Sequence, residues 1–242
     1  MNNDTFATTR WSLVCSAGRP SDEGTGVMAA ALEELCERYW YPIYAFIRRR
    51  VGDVDQAEDL TQGFFCELLE KSELARADRE RGRFRSFLLT AARHYLARQK
   101  EREGALKRGG GRTLLSIDRT LGESRLSHEP VDERTPERAF ERDWALSQLE
   151  RALERLQAEY ESTGRGELFA GLKPWLSGHG VGDQAKLAGE LGMEPGACKV
   201  ALHRLRRRLA LALRAEVAET VETPDQVDEE LGLLFEALSR AE

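Results

Sequence analysis

Between Pro195 and Ala215 the chain carries Lys199, Arg204, Arg206, Arg207, Arg208 and Arg214, with no acid among them. Lysine and arginine clustered in this way do not make or break bonds. They bind phosphate, through charge-assisted hydrogen bonds that arginine can deliver in pairs. Such cations act together only if one element presents them on one side. Cys198, Leu202, Leu205 and Leu209 recur at i, i+4, i+7 and i+11, which is the apolar stripe of a helix. Gly196, Lys199, Val200, His203, Arg204 and Arg207 fall on the other side.

The residues before this helix supply what is needed to hold it at an angle. Asp183 can cap a short helix that places Leu187, Ala188 and Leu191 on one side. Gly192 tolerates the left-handed backbone of a sharp turn. Pro195 suits the first turn of the next helix, where no backbone N–H is required. The pattern predicts a DNA-binding helix-turn-helix, its second helix anchored by the apolar stripe and its polar face directed to the major groove. An amphipathic core helix with a solvated basic face is the plain alternative. The turn glycine, Pro195 and the density of charge favour DNA.

The run GACKVALHRLRRRL resembles the promoter −35 reading helix of sigma-70-type RNA polymerase sigma factors. Cys198 stands where that pattern has a small apolar residue, and Val200 where serine is more usual. The resemblance implies that Gly196, Lys199, Val200, His203, Arg204 and Arg207 contact the −35 duplex.

Two further stretches fit the same family. Asp55 followed by Glu58 reads as an aspartate version of a capping box, opening a helix from Ala57 to Lys71. Its segment AEDLTQGFFCELLEK resembles sigma region 2.2, which docks on core RNA polymerase. Glu58, Asp59, Leu60, Gln62 and Phe65 meet the family pattern, and the resemblance implies that they bind polymerase. The plain alternative is a surface helix whose acids suit the positive end of its dipole. From Phe84 to Glu103 a third helix sets Phe84, Phe87, Leu88, Ala91 and Tyr95 on one arc. Ser86, Thr90, Arg93, Ala97 and Lys100 lie on the opposite arc. Small residues between cations allow close approach to a nucleic-acid backbone. The run looks like regions 2.3 and 2.4, which melt and hold the −10 element. That likeness implies DNA contacts from Arg85, Arg93, His94, Arg98 and Lys100. His94 departs from a common asparagine and Phe87 from a frequent tryptophan. The charged loop Ser72 to Arg83 falls where the family captures a flipped base.

Charge distribution matters more here than its total. The formal net charge is −6, which by itself argues against free nucleic-acid binding. Yet Arg79 to Arg108 holds ten basic residues and three acids, a net of +7, while Glu216 to Glu242 holds nine acids and one arginine, a net of −8. A protein presented to DNA by a larger partner tolerates this arrangement. The acidic tail, helical around Val227, Leu231, Leu234 and Leu238, is expected to screen the −35 helix.

Scattered cysteines (Cys15, Cys36, Cys66, Cys198) and histidines predict no metal site, no disulfide and no cofactor, with the thiols read as small buried hydrophobes. The acids lack the paired arrangement that a metal-dependent nuclease needs, so no catalytic residue is expected. No segment reaches the length of a membrane span, nor does the N-terminus read as a signal peptide; a cytoplasmic protein is expected.

Weak strand signals and helical periodicity predict an all-α chain of two small helical domains joined by a flexible linker, the second containing the helix-turn-helix. Residues 1–26 form an N-terminal extension, whose TRWSLV resembles the opening of a group of extracytoplasmic-function (ECF) sigma factors. Residues 27–104 form a region 2-like domain, in which Pro42 is expected to kink or divide the first helix. Residues 105–134 form the linker, with three consecutive glycines. About thirty flexible residues span roughly 30 Å and can extend further; promoter elements one and a half DNA turns apart are about 50–60 Å distant. Residues 135–222, opening with a helix capped by Thr135, form a region 4-like domain, and 223–242 the acidic helix. The family resemblance implies an ECF-type sigma factor whose partners are core RNA polymerase and promoter DNA, with an anti-sigma factor or other regulator as a further candidate. An autonomous helix-turn-helix regulator is the rival.

Overall fold

A computed structural model describes residues 25–70, 84–106, 135–176, 184–221 and 223–239. Among these residues the regular elements are all helical. They are α1 (Thr25–Val51), α2 (Val54–Glu70), α3 (Phe84–Leu106), α4 (Pro136–Ser162), α5 (Gly166–Leu172), a 3-10 turn (Lys173–Trp175), α6 (Gln184–Glu190), α7 (Pro195–Ala218) and α8 (Asp225–Ser239). The TRWSLV segment, the loop at 72–83, Asp183 and the linker at 107–134 lie outside the described residues.

The chain divides into two compact units. One holds residues up to Ser147 together with Ala218 onward; the other is Gln148–Val217. The sequence placed 135–147 in the second domain and treated 223–242 as a tail. In the structure both stretches belong to the first unit.

In the first unit, α1 packs on α2 and α3. Tyr39, Ile43, Ala45, Phe46 and Ile47 are wholly buried. α1 runs through Pro42 without dividing, so of the two outcomes expected of Pro42, a kink or a break, the break does not occur. A proline inside a helix costs about 3 kcal/mol or more. Burying one Ile or Phe side chain returns about 1.5–3 kcal/mol, so the aromatic and aliphatic side chains around Pro42 outweigh its lost donor. Gly52 adopts φ +77° and donates its N–H to the Arg48 carbonyl at 3.0 Å, turning the chain. The next helix is capped by Asp53, whose Oδ1 accepts the Gln56 N–H at 2.8 Å. That corrects the Asp55–Glu58 capping box: α2 begins at Val54, three residues before the expected start. Gly63 lets α2 meet α3 closely, since a Cβ there would stand 2.4 Å from the Tyr95 hydroxyl.

Thr135 caps α4 as expected, its Oγ1 accepting the Arg138 N–H at 3.4 Å. In the second unit α4 ends with Gly164 at φ +69°. The Arg165 N–H reaches the Tyr160 carbonyl at 2.8 Å, and the Gly164 N–H that of Glu161 at 3.0 Å. These two bonds form a Schellman stop. α6 ends in the same way: Met193 N–H to Ala188 carbonyl at 2.8 Å, Gly192 N–H to Gly189 carbonyl at 3.2 Å, with Gly192 at φ +60°. The turn glycine read from the sequence is therefore the residue that closes α6. Around it Leu156, Tyr160, Phe169, Leu172, Leu187, Ala188, Cys198, Leu202 and Leu205 form one core, with Leu191, Met193 and Leu209 packed against it. Gly171 on α5 lets the turn approach, because a Cβ there would stand 2.3 Å from a Leu191 methyl.

Candidate nucleic-acid interface

In the second unit, burial of Cys198, Leu202 and Leu205 fixes the roll of α7. Gly196, Lys199, Val200, His203, Arg204 and Arg207 consequently all face solvent. Val200 is 49 % exposed, an apolar group in the middle of a cationic face. Of the other three cations of the run, Arg206 and Arg208 are held within the unit. Arg206 donates to the Trp175 carbonyl at 2.9 Å, and Arg208 pairs with Glu159 at 2.8 Å while lying over the Tyr160 ring. Among the described residues no ion pair engages Lys199, His203, Arg204 or Arg207. The face is a small cationic surface on a helix whose backbone is fixed by its own core, the geometry that phosphate and base-edge contacts require.

In the first unit, α3 buries Phe84, Leu88, Leu89, Ala92 and Tyr95. Its outward arc is Ser86, Thr90, Arg93, His94, Ala97 and Lys100, all exposed. The five residues expected to meet the −10 strand are not equivalent. His94 and Lys100 are open. Arg93 is 45 % exposed and pairs with Glu137 at 3.0 Å. Arg98 is half-exposed and pairs with Glu67 of α2. Arg85 departs from the expectation. It is buried, its Nε donating to Glu230 Oε1 of α8 at 2.6 Å, with Glu141 also on its guanidinium and the Trp144 ring 4.5 Å beneath it. It sits about 100° around the helix from the exposed arc, so it is a packing residue and offers nothing to DNA in this conformation.

On α2, Asp59 is exposed and Glu58, Leu60 and Gln62 are partly exposed. Phe65 is 7 % exposed and packs edge-on to Phe64. Its contribution to any docking is to fix the helix, not to touch a partner.

Three acids join this picture that the sequence did not single out. Glu137 holds both Arg50 and Arg93. Partial burial works against its charge, but a backbone hydrogen bond and the two guanidiniums outweigh that and hold its carboxyl below the ordinary carboxylate range. Asp143, fully buried, pairs with Arg49 at 2.6 Å. Glu230 is the third. Beside it the buried Tyr39 phenol accepts the Trp144 Nε1–H at 3.2 Å; desolvation, with the Glu230 charge adding to it, pushes that phenol well above its usual range. The only local signal for Glu137 was its place in the first turn of a capped helix.

Cys36 and Cys198 are buried, whereas Cys66 is exposed, against the expectation for the thiols. Among the described residues no group of three or more His, Cys, Asp or Glu side chains could hold a metal ion. No described helix is long and apolar enough to cross a membrane.

Residues 35–105 match the family model Sigma-70 region 2. The match covers α2, α3 and most of α1, well under half of the chain, and supports a sigma factor role in transcription initiation; the matched region is a non-enzymatic domain that implies binding to core RNA polymerase and promoter DNA. No curated protein and no solved structure matches the chain.

Proposed function

We propose that this chain is an ECF-type sigma factor that binds core RNA polymerase through α2 and places two helices on a promoter. Asp59, with Glu58, Leu60 and Gln62 beside it, forms the polymerase contact. The outward arc of α3, from Arg93, His94 and Lys100 with Arg98 at its flank, holds the −10 strand. Lys199, His203, Arg204 and Arg207 grip and read the −35 duplex, with Gly196 admitting close approach and Val200 offering an apolar contact. The polymerase performs the chemistry.

One observation supports the reading: a chain whose 35–105 match sigma region 2 also presents, on α7 of a separately packed unit, four basic side chains that no described acid neutralises. Run-off transcription with core polymerase on a promoter library tests it. Lys199→Ala, Arg204→Ala and Arg207→Ala should each weaken promoter use. Each lost phosphate contact should also flatten the salt dependence of binding by about one unit of slope. A chain that neither binds core polymerase nor initiates from any promoter overturns the reading.

A further inference from the structure

We propose that the two stretches bracketing the second unit, 135–147 and 218–239, form an acidic clasp on the region 2 unit, and that the clasp occupies Arg93 until promoter DNA takes it. The inference rests on the function proposed above for its DNA partner, but its geometry does not.

Three carboxylates of these stretches each land on arginines of α1 or α3, and a fourth, Glu141, shares Arg85. Glu137 Oε1 meets Arg93 Nη2 at 3.0 Å and also holds Arg50. Asp143 Oδ2 meets Arg49 Nη1 at 2.6 Å. Glu230 Oε1 meets Arg85 Nε at 2.6 Å. Apolar side chains seat the same stretches. Phe140, wholly buried, lies edge-on to Phe46, and Trp144 donates its Nε1–H to Tyr39. Val227 and Leu234 are the buried residues of α8 beside Glu230.

The three pairs differ in accessibility, and the difference assigns their roles. Asp143, Glu230 and Arg85 are shielded from water and anchor the clasp. Glu137 and Arg93 are 29 % and 45 % exposed, so this pair exchanges readily with solvent and salt. Arg93 lies on the outward arc of α3, where a DNA phosphate would take the same guanidinium that Glu137 now holds. A carboxylate and a phosphate compete for an arginine by the same charge-assisted hydrogen bonds. Glu137 is thus an internal stand-in for phosphate.

The clasp also bears on the tether. The segment expected to give the two units slack, 105–134, ends at Thr135, in a stretch that belongs to the first unit. While that stretch stays docked, residues 105–134 connect two parts of the same unit.

Hydrogen exchange on the full chain tests the clasp, read free, with core polymerase, and with core polymerase plus promoter. The amides of 136–147 and 225–239 should be protected in the free chain, and those of the turn around Glu137 should lose protection in the promoter complex while 225–239 keep theirs. Unchanged protection around Glu137 in a complex that initiates transcription overturns the proposal. Glu137→Gln keeps the side-chain volume and removes the charge. The free variant should bind a labelled single-stranded DNA of mixed sequence about two- to fivefold tighter, the worth of an exposed pair. Adding Arg93→Ala should erase that gain. Wild-type affinity in Glu137→Gln overturns the competition between carboxylate and phosphate. A chain that ignores core polymerase refutes the function instead, and the free-chain measurement still decides the clasp.

Discussion

Replacing Glu230 by alanine would leave Arg85 with a buried charge and one weaker partner. Arg85 is 4 % exposed and Glu230 1 %, joined at 2.6 Å. Removing one member of a buried pair costs about 3–5 kcal/mol, because the survivor stays desolvated. Two features pull the value toward the lower end. Glu141, a third exposed, still reaches the guanidinium, and the Trp144 ring lies 4.5 Å beneath it. We expect a loss of about 3 kcal/mol from the first unit. At about 2–4 °C per kcal/mol for a chain of this size, its transition should fall by roughly 6–12 °C. Hydrogen exchange of α3 and α8 amides gives the loss in that unit directly. The double variant Arg85→Met/Glu230→Leu should recover more than half of it, since no lone charge remains. A single-variant loss under about 1 kcal/mol, in the range of ordinary surface substitutions, would refute the assignment of Arg85 and Glu230 as the anchor of α8.

Gly192→Ala forces a side chain into φ +60°, at a cost of roughly 1–2 kcal/mol; chemical denaturation of the second unit should register it, and on the proposed function promoter binding should weaken with it. The Glu137 carboxyl is held below its ordinary range, so its pairing stabilises the fold at pH values above that range and the contribution disappears as pH falls through the lowered value. Acid titration monitored at Glu137 by NMR should give a midpoint below that of the same residue in Arg50→Ala/Arg93→Ala, and coincident midpoints would contradict the pairing.

The helical architecture and much of the second unit were legible in the sequence. Cys198, Leu202 and Leu205 repeat at helical spacing, and the structure buries those three, with Leu209 packed against them. Gly192 announced its turn because positive φ is a local property of one residue. The Thr135 cap is local in the same sense. What could not be read was how charge is distributed among partners far apart in the chain. Glu230 lies between Val227 and Leu231 on an otherwise acidic helix, and nothing in that spacing marks it as the acid turned inward. Its partner is 145 residues away, and that of Asp143 is 94 residues away. Arg85 was misplaced for the same reason: a cation beside Phe84 at the head of a basic helix looks like its neighbours until its burial is known. Pro42 differs in the other direction: the break it could have caused is overridden by the side chains packed around it.

Net charge takes on a different meaning once the acids have addresses. A formal −6 spread evenly would repel phosphate everywhere. Here, among the described residues, acids stand against Arg49, Arg50, Arg85, Arg93 and Arg98 in the first unit, while Lys199, Arg204 and Arg207 on α7 carry no such pairing. On the proposed reading the two DNA-facing helices therefore start from unequal states. α7 can meet a duplex as it is, with only its hydration to lose. α3 must first exchange carboxylates for phosphates at Arg93 and Arg98, and each exchange replaces one charge-assisted bond by another of similar worth, so free DNA alone gains little there. Binding at α3 becomes favourable when something else positions the strand and supplies the remaining contacts. A −10 contact that is weak until polymerase aligns it, beside a −35 contact that is open from the start, follows from where this chain puts its acids.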